Sequence, residues 1–157
     1  DLRILAADAV HDLQTLDPAR TVTLTGPDGG PAPAATVRGD EARLRQVVAN
    51  LVSNALRHTP EGTTVNLVVG TVATDDRTAV LEVRDHGPGL AEADARRVFE
   101  RFYRVDSSRS RAQGGGSGLG LAIVAALTEA HGGRVEVETA LGAGAAFRVL
   151  IPVAPPA

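Results

Sequence analysis

The sequence predicts an α+β fold, with helices layered on one face of a mixed, mostly antiparallel sheet. Three observations point there. Apolar residues recur at helical spacing in three well-separated segments, 1–16, 41–58 and 118–131. Strand-like segments fall in adjacent pairs, 63–73 with 78–87 and 134–139 with 145–151, as hairpins require. The glycine run "GSGLGL" (116–121) has G-x-G-x-G spacing after a long polar stretch. A doubly wound dinucleotide fold needs G-x-G-x-x-G directly after a strand, so that class is excluded.

Each element follows in order. Leu2, Leu5, Ala6, Ala9, Val10, Leu13 and Leu16 form one helical stripe. "RTVTLTG" (20–26) alternates like a strand, and "PDGGPAPAAT" (27–36) is a turn-rich connector. Asp40 caps a helix over about 41–58, with Leu44, Val47, Val48, Leu51, Val52 and Ala55 inward, and Pro60 and Gly62 end it. The strands at 63–73 and 78–87 are joined at "TDDR" (74–77), and a short helix is expected over 91–99. The polar, Arg-rich and Gly-rich stretch 100–117 reads as a mobile loop before the helix at 118–131. Strands at 134–139 and 145–151 complete the fold, and "PVAPPA" closes it.

Composition bounds the function. The 157 residues suit a single domain over 1–157. A net charge of −3 offers no basic field for nucleic acid. The absence of cysteine excludes disulfides and thiolate metal sites. All 16 basic residues are arginine, which excludes a phosphate-loop lysine. No apolar run reaches the roughly 18 residues that span a bilayer, and no signal peptide is expected, so direct membrane contact is not.

Four clusters carry candidate chemistry. Asn50 and Asn54, four residues apart, share a helix face that ends at Arg57 and His58. Amide oxygens there can ligate a hard cation such as Mg²⁺, although two solvent-facing asparagines explain the pair equally well. In "VRDHGPGL" (83–90), Asp85 ends a strand beside Gly87 and Gly89, where a carboxylate can accept from an exocyclic amine; alone, an ordinary D-x-G turn is the simpler account. "VFERFYRVDSSRSR" (98–111) packs Phe99, Phe102 and Tyr103 among Arg101, Arg104, Arg109 and Arg111, combining an apolar anchor with guanidinium donors for phosphate. Finally, backbone N–H groups at the start of the helix after Gly116, Gly118 and Gly120 suit phosphate, although a plain linker is the alternative.

Taken together and in this order, the segments "DEARLRQVVANLVSNALRHTP", "DHGPGL", "VFERFYRVDSS", "GGGSGLGLAIV", "AHGGRVEVET" and "LGAGAAFRVLIP" resemble the ATP-binding catalytic domain of bacterial sensor histidine kinases, in the GHKL superfamily. The resemblance runs from Asp40 to Pro152. It implies a two-layer α/β sandwich with a nucleotide between helices and a mobile ATP lid over about 100–117. It implies ATP and Mg²⁺ as ligands, with Asn54 the principal Mg²⁺ ligand and Asn50 in support. Arg57 would lie near the phosphates and His58 would stack on adenine, where the family usually has Tyr. Asp85 would accept the adenine amine, with Gly87 and Gly89 shaping the pocket. Arg101 or Arg104 would reach phosphates beside Tyr103, with Phe99 and Phe102 anchoring the lid. Gly116, Ser117, Gly118, Leu119, Gly120 and Leu121 would form the lid hinge and phosphate-binding helix start. Gly142 and Gly144 match the last glycine motif.

The departures are His86 where Asn is common, Ala145 where Thr or Ser often helps bind adenine, and the "GGG" at 114–116. ATP-hydrolysing relatives place a Glu one turn before the metal-binding Asn. Asn50 stands there instead, and an amide is no base at neutral pH, so ATP is expected to be held for transfer rather than rapidly hydrolysed. The phosphoacceptor histidine is expected outside this chain. "VHDLQTLDP" (10–18) lacks the acceptor motif's basic residue and Thr-Pro pair, which leaves His11 structural, and His131 reads as a structural helix-end residue. The implied partners are the phosphoacceptor/dimerisation domain of the same kinase and, through it, a response regulator. The isolated domain is expected to be monomeric, on the cytoplasmic side of an inner-membrane-anchored sensor. Two rival readings are a serine kinase of the anti-sigma type and a degenerate module that binds ATP only, or nothing.

Overall fold

The computed structural model describes residues 1–104 and 118–156. The elements run α1 (Leu2–Leu16), β1 (Val22–Thr25), α2 (Glu41–Arg57), β2 (Val65–Val72), β3 (Asp75–Asp85), α3 (Glu92–Ala95), α4 (Gly120–Ala130), β4 (Arg134–Thr139) and β5 (Ala145–Pro152). The strands form one five-stranded sheet in the order β1-β2-β3-β5-β4. β1 joins β2 in parallel and every other pairing is antiparallel, so the sheet is mixed and mostly antiparallel as expected.

Strand parity decides which face is covered. Val65, Leu67 and Val69 of β2, Leu81 and Val83 of β3, and Phe147, Val149 and Ile151 of β5 are buried on one face. The helices close over them: α2 contributes Leu44, Val47, Val48, Leu51, Val52 and Ala55, the stripe its spacing predicted. Fully burying a side chain such as Leu51 or Leu67 stabilises the fold by about 1.5–3 kcal/mol. The opposite face carries an ion-pair ladder in which Glu82 receives Arg84 Nε at 3.0 Å and Arg148 Nε at 2.6 Å.

Caps explain where the helices begin and end. Asp40 accepts the Arg43 N–H at 3.1 Å, and His58 ends α2 with its N–H on the Asn54 carbonyl. His131, the C-cap of α4, ties the two long helices together: its Nε2 accepts the Asp40 N–H at 3.1 Å, and Nδ1–H donates to Leu127 O at 2.6 Å. Between α1 and α2 lies a buried cation. Arg20 is 6% exposed and donates to Asp17 Oδ2 at 3.0 Å, Thr59 Oγ1 at 2.8 Å and Thr63 O at 2.9 Å. It braces both ends of the loop that leaves α2.

Four expectations are corrected. Leu16 is 82% exposed in the last turn of α1, and the buried stripe ends at Leu13. The hairpin turn is Ala73–Thr74 rather than 74–77: β3 already starts at Asp75, which pairs with Val72 across a register shift. The helix expected over 91–99 is α-helical only over Glu92–Ala95. Beyond it the bonds tighten to three residues, Glu100 N–H to Arg97 O and Tyr103 N–H to Glu100 O, which turns Phe99 edge-on to Phe147 at 6.1 Å. The last helix starts at Gly120, two residues later than expected, because Gly118 is at φ +76°.

Candidate functional site

The site gathers where β3 ends beneath the helices. Parity carries Asp85 to the same face as Leu81 and Val83, so its carboxylate is buried, 4% exposed, on the helix side of the sheet. The chain then turns, and the Gly87 N–H donates to Asp85 Oδ1 at 2.9 Å. A carboxylate held this way presents an acceptor to a neutral amine, as adenine recognition requires. His86, the next residue, leaves the pocket: its Nε2 pairs with Asn66 Oδ1 at 2.8 Å, and Asn66 donates to Thr23 Oγ1.

The β4–β5 loop closes one wall. Gly144 lies at φ +71°, and a Cβ there would come within 2.2 Å of Asp85 O, so the two backbones touch. The Gly142 N–H donates to Pro88 O at 2.7 Å, fastening this loop to the turn that holds Gly89. Ala145 is buried and pairs with Asp85 across the strands, in a row that continues to Thr139. The predicted loss of a hydroxyl at 145 is therefore accompanied by a hydroxyl one strand away.

The C-terminal turn of α2 supplies the other wall. Asn50, Ser53 and Asn54 are half-buried on one face, and Arg57 beyond them is exposed and donates to Ser53 Oγ at 2.9 Å. His58 keeps an exposed edge, yet the protein packed around it is the main cause holding its imidazole below the ordinary value. The nearby Asp85 carboxylate pulls the other way, and Arg57 adds to the lowering. A neutral aromatic ring beside Asp85 is suited to stacking on a flat ligand.

α4 runs antiparallel to α2, so its N-terminus arrives beside the asparagines. Asn50 Nδ2 donates to Gly120 O at 3.3 Å, joining the helix-start residues to the amide face. A Cβ at Gly120 would meet nothing within 4 Å, so the backbone there is open. Gly118 O accepts the Phe102 N–H at 3.0 Å, which closes the base of the segment expected as a lid. Gly116, Ser117, Arg109 and Arg111 lie outside the described residues.

The aromatic and arginine cluster divides. Phe99 packs on Phe147 and anchors the segment as expected, whereas Phe102 stands 66% exposed at φ 63°, too turned to bury its ring. Tyr103 donates its hydroxyl to Asp94 and carries Arg97 over its ring at 4.5 Å. That hydrogen bond raises the phenol above its usual range and commits Tyr103 to α3. Arg101 lies over Phe102, 5.8 Å from its ring centre, and Arg101 and Arg104 are exposed, while the backbone of Phe102 and Tyr103 between them lies against Gly118. Leu119 and Leu121 are half-buried there, with Leu121 packed against the core.

The donor set fits a nucleotide: a buried acceptor for the base, an imidazole beside it, and amides with a helix start for phosphates. Among the described residues no cluster of three His, Cys, Asp or Glu could hold a metal, and the oxygens that Asn50 and Asn54 offer are the kind a hard cation would take together with ligand oxygens. A cleft of about 440 Å³ lies at the opposite ends of α2 and α4, lined by Arg38, His131 and the segment around Pro152. It contains none of these groups.

Comparison with known proteins agrees with this fold. Residues 39–155 match the family of histidine kinase-, DNA gyrase B- and HSP90-like ATPases. The chain is 44% identical over 142 residues to the probable sensor histidine kinase TcrY of Mycobacterium tuberculosis, covering 90% of this chain and 28% of that protein. It is 41% identical over 121 residues to the sensor-like histidine kinase SenX3 of Mycolicibacterium smegmatis, covering 76% of this chain and 30% of the relative. The matched segments thus span under a third of the length of these curated relatives. Among solved structures, the mycobacterial sensor histidine kinase MprB superposes with a TM-score of 0.80 at 28% identity, covering 99% of this chain and 97% of the other. Full-length ShkA in complex with AMPPNP also superposes at 0.80, with 31% identity over 100% of this chain and 31% of its own. The relatives are sensor histidine kinases, and none of these supports the serine-kinase reading. The chain therefore belongs to the histidine kinase-, DNA gyrase B- and HSP90-like ATPase family, as an ATP-binding catalytic domain of the sensor histidine kinase type.

Proposed function

We propose that this domain holds ATP with Mg²⁺ and donates the γ-phosphoryl group to a histidine on a separate dimerisation domain of the same kinase, from which a response regulator receives it. The observation that carries this reading is the buried Asp85 carboxylate, on the helix-facing side of the sheet and beneath the asparagine-bearing end of α2. Asp85 accepts the adenine amine while the Gly87 N–H fixes its other lone pairs. His58 covers the ring. Asn54, supported by Asn50, turns amide oxygens toward the cation, and the start of α4 turns N–H groups toward the phosphates. Arg101 and Arg104 add guanidinium charge from the exposed side. When bound, Mg²⁺ supplies charge neutralisation at the phosphate oxygens.

The residue one helical turn before Asn54 is Asn50, whose amide is no base at neutral pH. Asn50 donates to Gly120 O through its amide, which supports retention of ATP for transfer over hydrolysis. Among the described residues no helix is long and apolar enough to cross a membrane. Membrane anchoring and a cytoplasmic position belong in this proposal to the larger sensor.

Titration with a non-hydrolysable ATP analogue tests the reading. Binding should strengthen with Mg²⁺ and weaken about 30-fold in Asp85→Asn, which exchanges a charged acceptor for a neutral one. Flat titrations on a folded wild-type chain overturn it.

A further inference from the structure

We propose that Thr139 is a positioning residue for base recognition, setting the preference for a 6-amino purine over its 6-oxo counterpart. The proposal rests on the adenine-site reading of Asp85 given above.

The hydroxyl of Thr139 makes two bonds to two different loops. It donates to Gly144 O at 2.6 Å and accepts the Leu90 N–H at 2.9 Å. Leu90 ends the turn that begins at Asp85, and Gly144 lies against the backbone of Asp85 itself. A second tie, Gly142 N–H to Pro88 O at 2.7 Å, joins the same two loops further out. Thr139 thus holds the inner end of a two-loop clasp, one loop of which carries Gly87, the donor to Asp85 Oδ1.

Register makes the assignment specific. Thr139 pairs with Ala145, and Ala145 with Asp85, so all three share one row and one face of the sheet. Ala145 has no hydroxyl to offer. Threonine at 139 supplies one from the next strand, as both donor and acceptor, and no apolar side chain of the same shape can replace it. Without it the Leu90 N–H and Gly144 C=O lose their shared partner, and the turn can re-aim the Gly87 N–H. The phosphate-binding groups on α2 and α4 are untouched, because none of them bonds to either loop.

The test compares ATP with inosine triphosphate, both with Mg²⁺, by calorimetric titration of this chain and its Thr139→Val and Thr139→Ser variants. The wild type should prefer ATP. In Thr139→Val, ATP affinity should fall about tenfold while inosine triphosphate stays within about twofold, because only the amine contact depends on the clasp. Thr139→Ser should restore the ATP preference. Thermal melts of each variant accompany the titrations, and Thr139→Ala, held to the same expectation, replaces the valine variant if that one does not fold. A wild-type ratio retained without the hydroxyl, equal losses on both nucleotides, or a serine variant that fails to recover overturns the proposal. A wild type that binds ATP but does not prefer it also overturns it, whereas a wild type that binds neither nucleotide overturns the adenine-site reading itself.

Discussion

The proposed base end and the proposed phosphate end of the site are built by different means. At the base end, Asp85 sits in a strand row flanked by Val65 and Ala145, and the turn after it is tied to the β4–β5 loop by backbone and hydroxyl hydrogen bonds. At the phosphate end, the groups ride on two helices, and Asn50 to Gly120 O at 3.3 Å is the side-chain bond joining the amide face to the helix start. A sheet fixes atoms through register, which tolerates little drift. Helix faces instead present groups in a line and leave room for a ligand to complete the geometry. On the proposed reading, the base end is set before a nucleotide arrives, while the phosphate end depends on what binds there.

Substitutions at each end should separate these two modes. The largest effect is expected from Asn54→Ala at the phosphate end. Transfer to an added phosphoacceptor domain, read as phosphohistidine, should drop about 1,000-fold, while the melting temperature stays near wild type because Asn54 is only half-buried. Retained transfer would remove Asn54 from the metal role. Next is Gly144→Ala at the base end, where a Cβ would sit 2.2 Å from Asp85 O at φ +71°. Stability should fall by about 3 kcal/mol, a melting drop of about 6–12 °C, because the wall cannot move without breaking the strand row. An unchanged melt would mean that the base end is as pliant as the helices.

The smallest expected effect concerns His58, which stands between the two ends. Its pKa is lowered in the folded chain, chiefly by burial. The unfolded state therefore binds a proton first as pH falls below about 6.5, and stability declines until the folded-state imidazole also protonates. With the ring partly exposed, the loss should stay below about 1 kcal/mol. Denaturant midpoints measured across that range should flatten in His58→Phe; a wild-type curve with no slope to remove refutes the assignment.

Much of this was legible in the residues. The α2 stripe, its Asp40 cap and the shared face of Asn50 and Asn54 follow from spacing of three and four, which a helix makes local. Asp85 before "HGPGL" was recognisable as a strand-end acid, although only parity with Leu81 and Val83 shows that it turns inward. Phe102 has the apolar side chain of an anchor, but the turn to φ 63° leaves it exposed while Phe99 packs on Phe147. The family resemblance sets Tyr103 beside a nucleotide, and nothing in its local pattern announces Asp94 as its partner. Thr139 and Arg20 carried no signal at all. Each acts through groups far along the chain, Leu90 for one and Thr59 for the other.

Sequence by itself determined the element types, the amphipathic faces and the family, because these depend on residues a few positions apart. Only the tertiary structure decided that Thr139, Ala145 and Asp85 stand in one row, and that α4 delivers Gly120 to Asn50. Those contacts arise from strand register and helix packing, which join residues separated by tens of positions and leave no periodic trace in the chain.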